Sequence, residues 1–174
     1  MINSIKKAIE HRKKYMKVIK DCIYSKLTLD SIGVFINPFC EIKNFNGINY
    51  AIQESDTFVH GNFAFLCCVT KTTNGVYIIF TDSYFKTLPK KAQDFFIYHE
   101  IGHMTHNTLH KNKNIFGVAK RDINDEIQAD AFAAGAVGIN IAIESLRFVE
   151  KNIIEANKRE IKKRIKKLKE SKCF

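Results

Sequence analysis

The 174-residue sequence predicts an α+β fold, and three observations carry that prediction. Helical hydrophobic periods occupy both ends. Short β-branched and aromatic runs broken by Asn-Gly pairs lie between them. The order helix, small mostly antiparallel sheet, helices runs once, with no internal repeat. A hydrophobic content of 45% and a charged content of 26% are those of a globular chain that can bury a core. Two prolines and eight glycines leave no room for a long disordered linker. One compact domain over 1–174 is therefore expected, with a basic amphipathic helix at 1–27, a core at 28–140 and a basic C-terminal helix at 141–174.

In residues 2–27 the apolar positions Ile2, Ile5, Ile9, Met16, Ile19, Ile23 and Leu27 recur at steps of three, four or seven. That spacing predicts a helix with Lys and Arg on its outer face. Extended pieces follow, with Val34-Phe35-Ile36 before Asn37-Pro38 and a turn at Asn46-Gly47. Phe63–Thr70 and Val76–Thr81 flank Asn74-Gly75, a pair that accepts positive φ, and read as a hairpin. Thr87-Leu88-Pro89 opens the next helix, which continues through Phe95, Phe96, Ile97 and Ile101. Asn112–Lys120 is polar and loop-like. An Ala-rich helix is expected from about Asp122 to Gly138, with Phe132, Ala133, Ala134, Gly135, Ala136 and Gly138 packed closely onto the helix before it. A last helix is expected over roughly 139–169, with Ile143, Leu146, Val149, Ile153, Ile161, Ile165 and Leu168 as its stripe.

The net charge of +10 belongs to the two ends. Residues 1–27 carry eight Lys/Arg and two Asp/Glu (8 − 2 = +6), residues 151–174 carry ten and three (10 − 3 = +7), and residues 28–150 carry ten and thirteen (10 − 13 = −3). Basic ends suit solvated helix faces and leave open contact with nucleic acid or an acidic partner. The first residues are charged throughout and lack the apolar stretch of a secretory signal. The most apolar run, Ala131–Ile143, is too short to span a bilayer. Cys22, Cys40, Cys67, Cys68 and Cys173 make an odd number without a C-x-x-C pair, which points to reduced thiols and a cytoplasmic setting. Adjacent Cys67 and Cys68 read as strand residues facing opposite sides.

Chemistry concentrates in Phe95–His110, FFIYHEIGHMTHNTLH. His99-Glu100-Ile101-Gly102-His103 is H-E-x-x-H on a predicted helix. Side chains four apart share a helix face, so the two imidazoles can converge on one cation. Zinc accepts neutral imidazole nitrogen and favours four ligands. Glu100, roughly 100° round the same helix, can reach a metal-bound water and take its proton as it attacks a carbonyl. A catalytic zinc needs a third protein ligand and an open position. His106, His110, Glu126 and Asp130 are the candidates. Histidines strung along one straight helix spread over about 10 Å, so a carboxylate from a crossing helix is the better third ligand, which favours Glu126. Asp130, one turn on, can accept the N–H of a ligand imidazole and set its tautomer.

His-Glu-Ile-Gly-His, followed by Glu126-x-x-Ala129-Asp130-x-Phe132-Ala133, resembles the gluzincin metallopeptidases, and among them the compact ImmA/IrrE-like proteins. The resemblance covers about residues 58–140. It implies a zincin-like fold, one Zn2+ held by His99, His103 and Glu126, Glu100 as general base, and Asp130 as support for a ligand histidine. It further implies a small sheet whose edge strand pairs with an extended substrate, with Val76, Tyr77, Ile78, Ile79 and Phe80 as the natural candidates. The metzincin pattern does not fit: it wants Gly at 106 and His at 109, and the chain has His106 and Leu109. The expected activity is zinc-dependent hydrolysis of peptide bonds in an intracellular protein or peptide. A second expectation keeps the metal and makes the chain a regulatory binding protein, for example acting on a DNA-bound repressor, with little peptidase turnover.

Overall fold

The computed structural model of the protein describes residues 40–56, 59, 66–71, 76–106, 122–153 and 157–171. The N-terminal helix expected at 1–27, the pieces around Val34–Ile36, the Asn74-Gly75 turn and His110 lie outside the described residues. Among those described, the fold is α+β: four strands in one mixed sheet, followed by four α-helices.

The strands are β1 (Lys43–Phe45), β2 (Ile48–Glu54), β3 (Cys67–Lys71) and β4 (Tyr77–Thr81). β1 and β2 form a hairpin closed by Asn46 and Gly47, both at positive φ (48° and 83°). That conformation matches the right-handed twist of the strands and is why Asn-Gly stands there. Asn44 reinforces it, donating from Nδ2 to Asn49 Oδ1 at 2.7 Å and accepting from Gly47 N at 3.1 Å. β3 and β4 pair antiparallel, in register from Cys67↔Thr81 to Lys71↔Tyr77, as the flanking β-branched runs predict.

Sheet order is β1-β2-β4-β3, because β4 also pairs parallel with β2 from Tyr50↔Tyr77 to Glu54↔Thr81. This corrects the edge placement expected for Val76–Phe80. β4 is hydrogen-bonded on both sides and cannot accept an added strand. Its two faces are both buried, which suits a central strand. Ile79 points into the main core beneath the helices, and Ile78 and Phe80 pack with Val59 on the opposite face. Cys67 and Cys68 divide between the same two faces, as the period-2 rule requires.

A single 3-10 turn, Phe85–Thr87, leads into α1 (Lys90–Thr105). Pro89 occupies the N-cap position. Thr87 does not cap the helix; its hydroxyl donates to the Tyr84 carbonyl at 2.7 Å. α1 is buried on several sides at once, by Phe95, Phe96, Ile101 and Met104 as well as His99 and Glu100. α2 (Ile123–Val137) is capped by Asp122, whose carboxylate accepts from Asn124 N at 2.9 Å. Such a cap stabilises a helix by about 1 kcal/mol. Gly138, at φ +96°, ends α2 and at once opens α3 (Ile139–Asn152), a backbone angle that L side chains rarely adopt. Of the small residues expected to pack α2 onto α1, Ala133 and Ala134 are buried and Phe132 is half-buried; Gly135 and Ala136 face outward.

The expected last helix is two helices. α3 stops at Ile153, whose backbone is extended, and α4 (Lys158–Glu170) restarts at Asn157, whose side chain accepts from Glu160 N at 3.3 Å. α4 therefore turns back and lays Ile161, Ile165 and Leu168 into the core against α2 and α3. No described helix is long and apolar enough to cross a membrane.

Candidate metal centre

The H-E-x-x-H spacing works locally as helix geometry requires. His99 and His103 stack one turn apart on α1, with ring centroids 4.7 Å apart and Nε2 atoms 3.1 Å apart. α2 crosses α1 at very short range because Gly102 has no side chain. A Cβ there would stand 3.0 Å from Ala129 Cα and 3.2 Å from both Ala129 O and Phe132 Cβ. The motif glycine thus lets the second helix approach until its first turn reaches the two imidazoles.

That approach brings Glu126 into place. Its Oε2 lies 3.4 Å from His99 Nε2 and its Oε1 lies 3.5 Å from His103 Nε2. The ligand atoms of the three residues all fall within 4.8 Å of one another, and the group could hold a metal ion. The imidazole pair, 3.1 Å apart at Nε2, stands near the ~3.3 Å spacing of donors on one tetrahedral ion. Glu126 meets the two rings through different oxygens of its carboxylate, at 3.4 and 3.5 Å.

Asp130, one turn after Glu126 and fully buried, meets His99 from behind: Oδ1 is 2.9 Å from Nδ1. The carboxylate can only accept, so Nδ1 donates, and Nε2 is left facing Glu126 and His103. Burial alone would lower the pKa of His99. The hydrogen bonds to Asp130 and Glu126 and the charges of both outweigh it, and the pKa is raised to about 9. With nothing bound, His99 is therefore an imidazolium at neutral pH.

Sequence reasoning missed a charged member of the site. Arg164, on α4, is buried beside both carboxylates. It forks onto Asp130, from Nε to Oδ2 and from Nη2 to Oδ1, each at 2.7 Å, and its Nη1 lies 2.9 Å from Glu126 Oε2. Burial disfavours all three charges. The guanidinium nevertheless holds Glu126 well below and Asp130 below the usual carboxylate range, and the Asp130 charge raises Arg164 in return. A signal was present: Arg164 stands between Ile161, Ile165 and Leu168 on the apolar stripe of an otherwise Lys-rich helix.

Glu100 is buried on the sheet side of α1 and is not one of the three grouped ligands. The thiol of Cys67 on β3 lies 3.5 Å from Glu100 Oε1 and 3.9 Å from the Phe96 carbonyl. Burial, then the Glu100 charge, push that thiol well above its ordinary pKa, so it stays protonated and donates. His106 takes no part in the cluster. It ends α1, with Nδ1 donating to the Gly102 carbonyl at 2.8 Å. No family model, no curated protein and no solved structure matches the chain significantly.

Proposed function

We propose that the protein is a zinc-dependent endopeptidase of the gluzincin kind acting on a protein or peptide. The observation that carries the reading is the buried convergence of His99, His103 and Glu126, whose ligand atoms lie within 4.8 Å of one another on an H-E-x-x-H helix and its crossing neighbour, with a buried glutamate between the two histidines. Two imidazoles and one carboxylate are the donor set of many catalytic zinc sites, which keep a fourth position open. A zinc ion held there would polarise a scissile carbonyl and acidify a water.

The rest of the chemistry belongs to the chain. Glu100 takes the proton of the attacking water and delivers it to the departing amine. Cys67 holds one oxygen of that carboxylate through its thiol hydrogen, which leaves the other oxygen to carry the proton. Asp130 holds His99 by Nδ1 so that Nε2 keeps its lone pair towards the ligand set, a role such partners commonly play. Strand pairing with substrate does not fall to β4, whose edges are both used within the sheet.

The test is metal content and cleavage of a mixed peptide library by three proteins. Wild type is expected to retain one zinc per chain and to cleave. Glu100→Gln is expected to retain the zinc and lose at least about 100-fold in rate, the usual scale of a general base. Glu126→Ala is expected to lose the metal. A Glu100→Gln protein that cleaves at the wild-type rate removes the proposed base. A zinc-loaded wild type that cleaves nothing, with a cellular phenotype unchanged by Glu100→Gln, would make the chain a metal-bearing binding protein.

A further inference from the structure

Arg164, like Asp130, neither ligates nor moves a proton in the proposed reaction, yet it makes three of the shortest contacts of the cluster. Its helix is the last of the described elements, far in sequence from the motif helices. Its partners are the third ligand and the carboxylate that orients His99, so one guanidinium touches both supports of the imidazole pair. Glu126 and Asp130 are 6% and 0% exposed. Two carboxylates buried so deeply repel each other and are costly to desolvate without a cation.

Resting on the reading of this cluster as a metal centre, we propose that Arg164 is a positioning residue. It holds Glu126 and Asp130 in their buried places while no ion is bound, so that the ligand set stands assembled before the metal arrives. The charge count favours this role over simple packing. The two carboxylates and Arg164 sum to −1 without an ion and to +1 with a divalent ion, or to 0 and +1 when the His99 proton that an ion displaces is counted. Without Arg164 the same sums are −2 and 0, or −1 and 0, so the unbalanced negative charge falls on the ion-free state in either count. The guanidinium is therefore needed most in the metal-free protein, and a bound dication takes over much of its work. Removing Arg164 must make the fold depend more strongly on the ion, by the ordinary linkage between binding and stability.

The experiment compares thermal unfolding of full-length wild type, Arg164→Met and Arg164→Gln, each stripped with chelator and then measured with and without saturating zinc. Gln keeps two hydrogen-bond donors and removes only the charge, so it serves if Met is too disruptive. Both variants are expected to melt well below wild type without zinc, or not to fold at all. Zinc is expected to raise their Tm by ~5 °C or more beyond the rise it gives wild type. A residue that merely packs would lower both curves equally. Equal zinc-induced shifts in variants and wild type, or variants that zinc does not restore to a folded state, overturn the proposal. Zinc uptake by wild type reads separately on the metal centre. If wild type binds no zinc, the metal reading falls and takes this one with it. If wild type binds zinc and the shifts are equal, only the role of Arg164 falls.

Discussion

At His99 three demands meet: burial, a carboxylate behind Nδ1 and another in front of Nε2. The first lowers its pKa and the other two raise it, and the two carboxylates outweigh burial, lifting it to about 9. A folded pKa above the unfolded ~6.5 means that the imidazolium contributes its full stability below pH 6.5. That contribution is lost as pH rises through about 9. In chelator, denaturant unfolding should therefore show stability falling between pH 6.5 and 9 by roughly 3 kcal/mol, and His99→Gln should flatten that fall. A profile that rises over this window would contradict the assigned partners. Cys67 gives a second test at this scale. Its thiol is buried, raised in pKa and engaged with Glu100. Iodoacetamide at pH 8 should leave it unmodified in the folded protein and alkylate it on unfolding, as peptide mass mapping would show. Residue-scale chemistry was largely legible in the sequence where the partners share a helix. His99 and His103 are one turn apart, and so are Glu126 and Asp130. The thiol at Glu100 was not legible, because only the packing of β3 beneath α1 puts it there.

Between elements, Gly102 sets the separation of α1 and α2. In Gly102→Ala the new methyl would press on the backbone of Ala129, which cannot move without its helix. The helices must part by a few tenths of an ångström, and the carboxylate of Glu126 recedes from the imidazoles. The gain in helix propensity of about 1 kcal/mol is outweighed by overpacking of about 1–3 kcal/mol. A net loss of up to about 2 kcal/mol in chemical unfolding is expected, with weaker metal retention. Gly135→Ala is the matched control. It lies inside α2, and a methyl added there would meet nothing within 4 Å, so the same substitution should stabilise by up to ~1 kcal/mol. Element order, the Asn46-Gly47 turn and the Gly138 junction could be read in advance because each rests on local chemistry. Two features could not. The parallel pairing of β2 with β4 is a long-range contact with no turn signal. The break after Asn152 is masked because the apolar period runs on at compatible spacing from Ile153 to Ile161.

For the whole molecule, the basic C-terminal segment looked from its charge like a solvated helix face or a surface for an acidic partner. α4 does present Lys158, Arg159, Lys162, Lys163, Lys166, Lys167 and Lys169 outward. Its inner side is part of the core, with Leu168 2% exposed. Leu168→Ala should cost about 2–4 kcal/mol by equilibrium unfolding, and removal of 154–174 should abolish a cooperative transition. Retention of wild-type stability by the shortened chain would refute this account of the fold.

The separation of 34 positions between Asp130 and Arg164 has a consequence during biosynthesis. A ribosome emits the acidic partners first and their basic counterpart on the order of seconds later. Over that interval Glu126 and Asp130 exist without the guanidinium that the finished fold sets against them, and the pairing can form only once the C-terminal helix has followed.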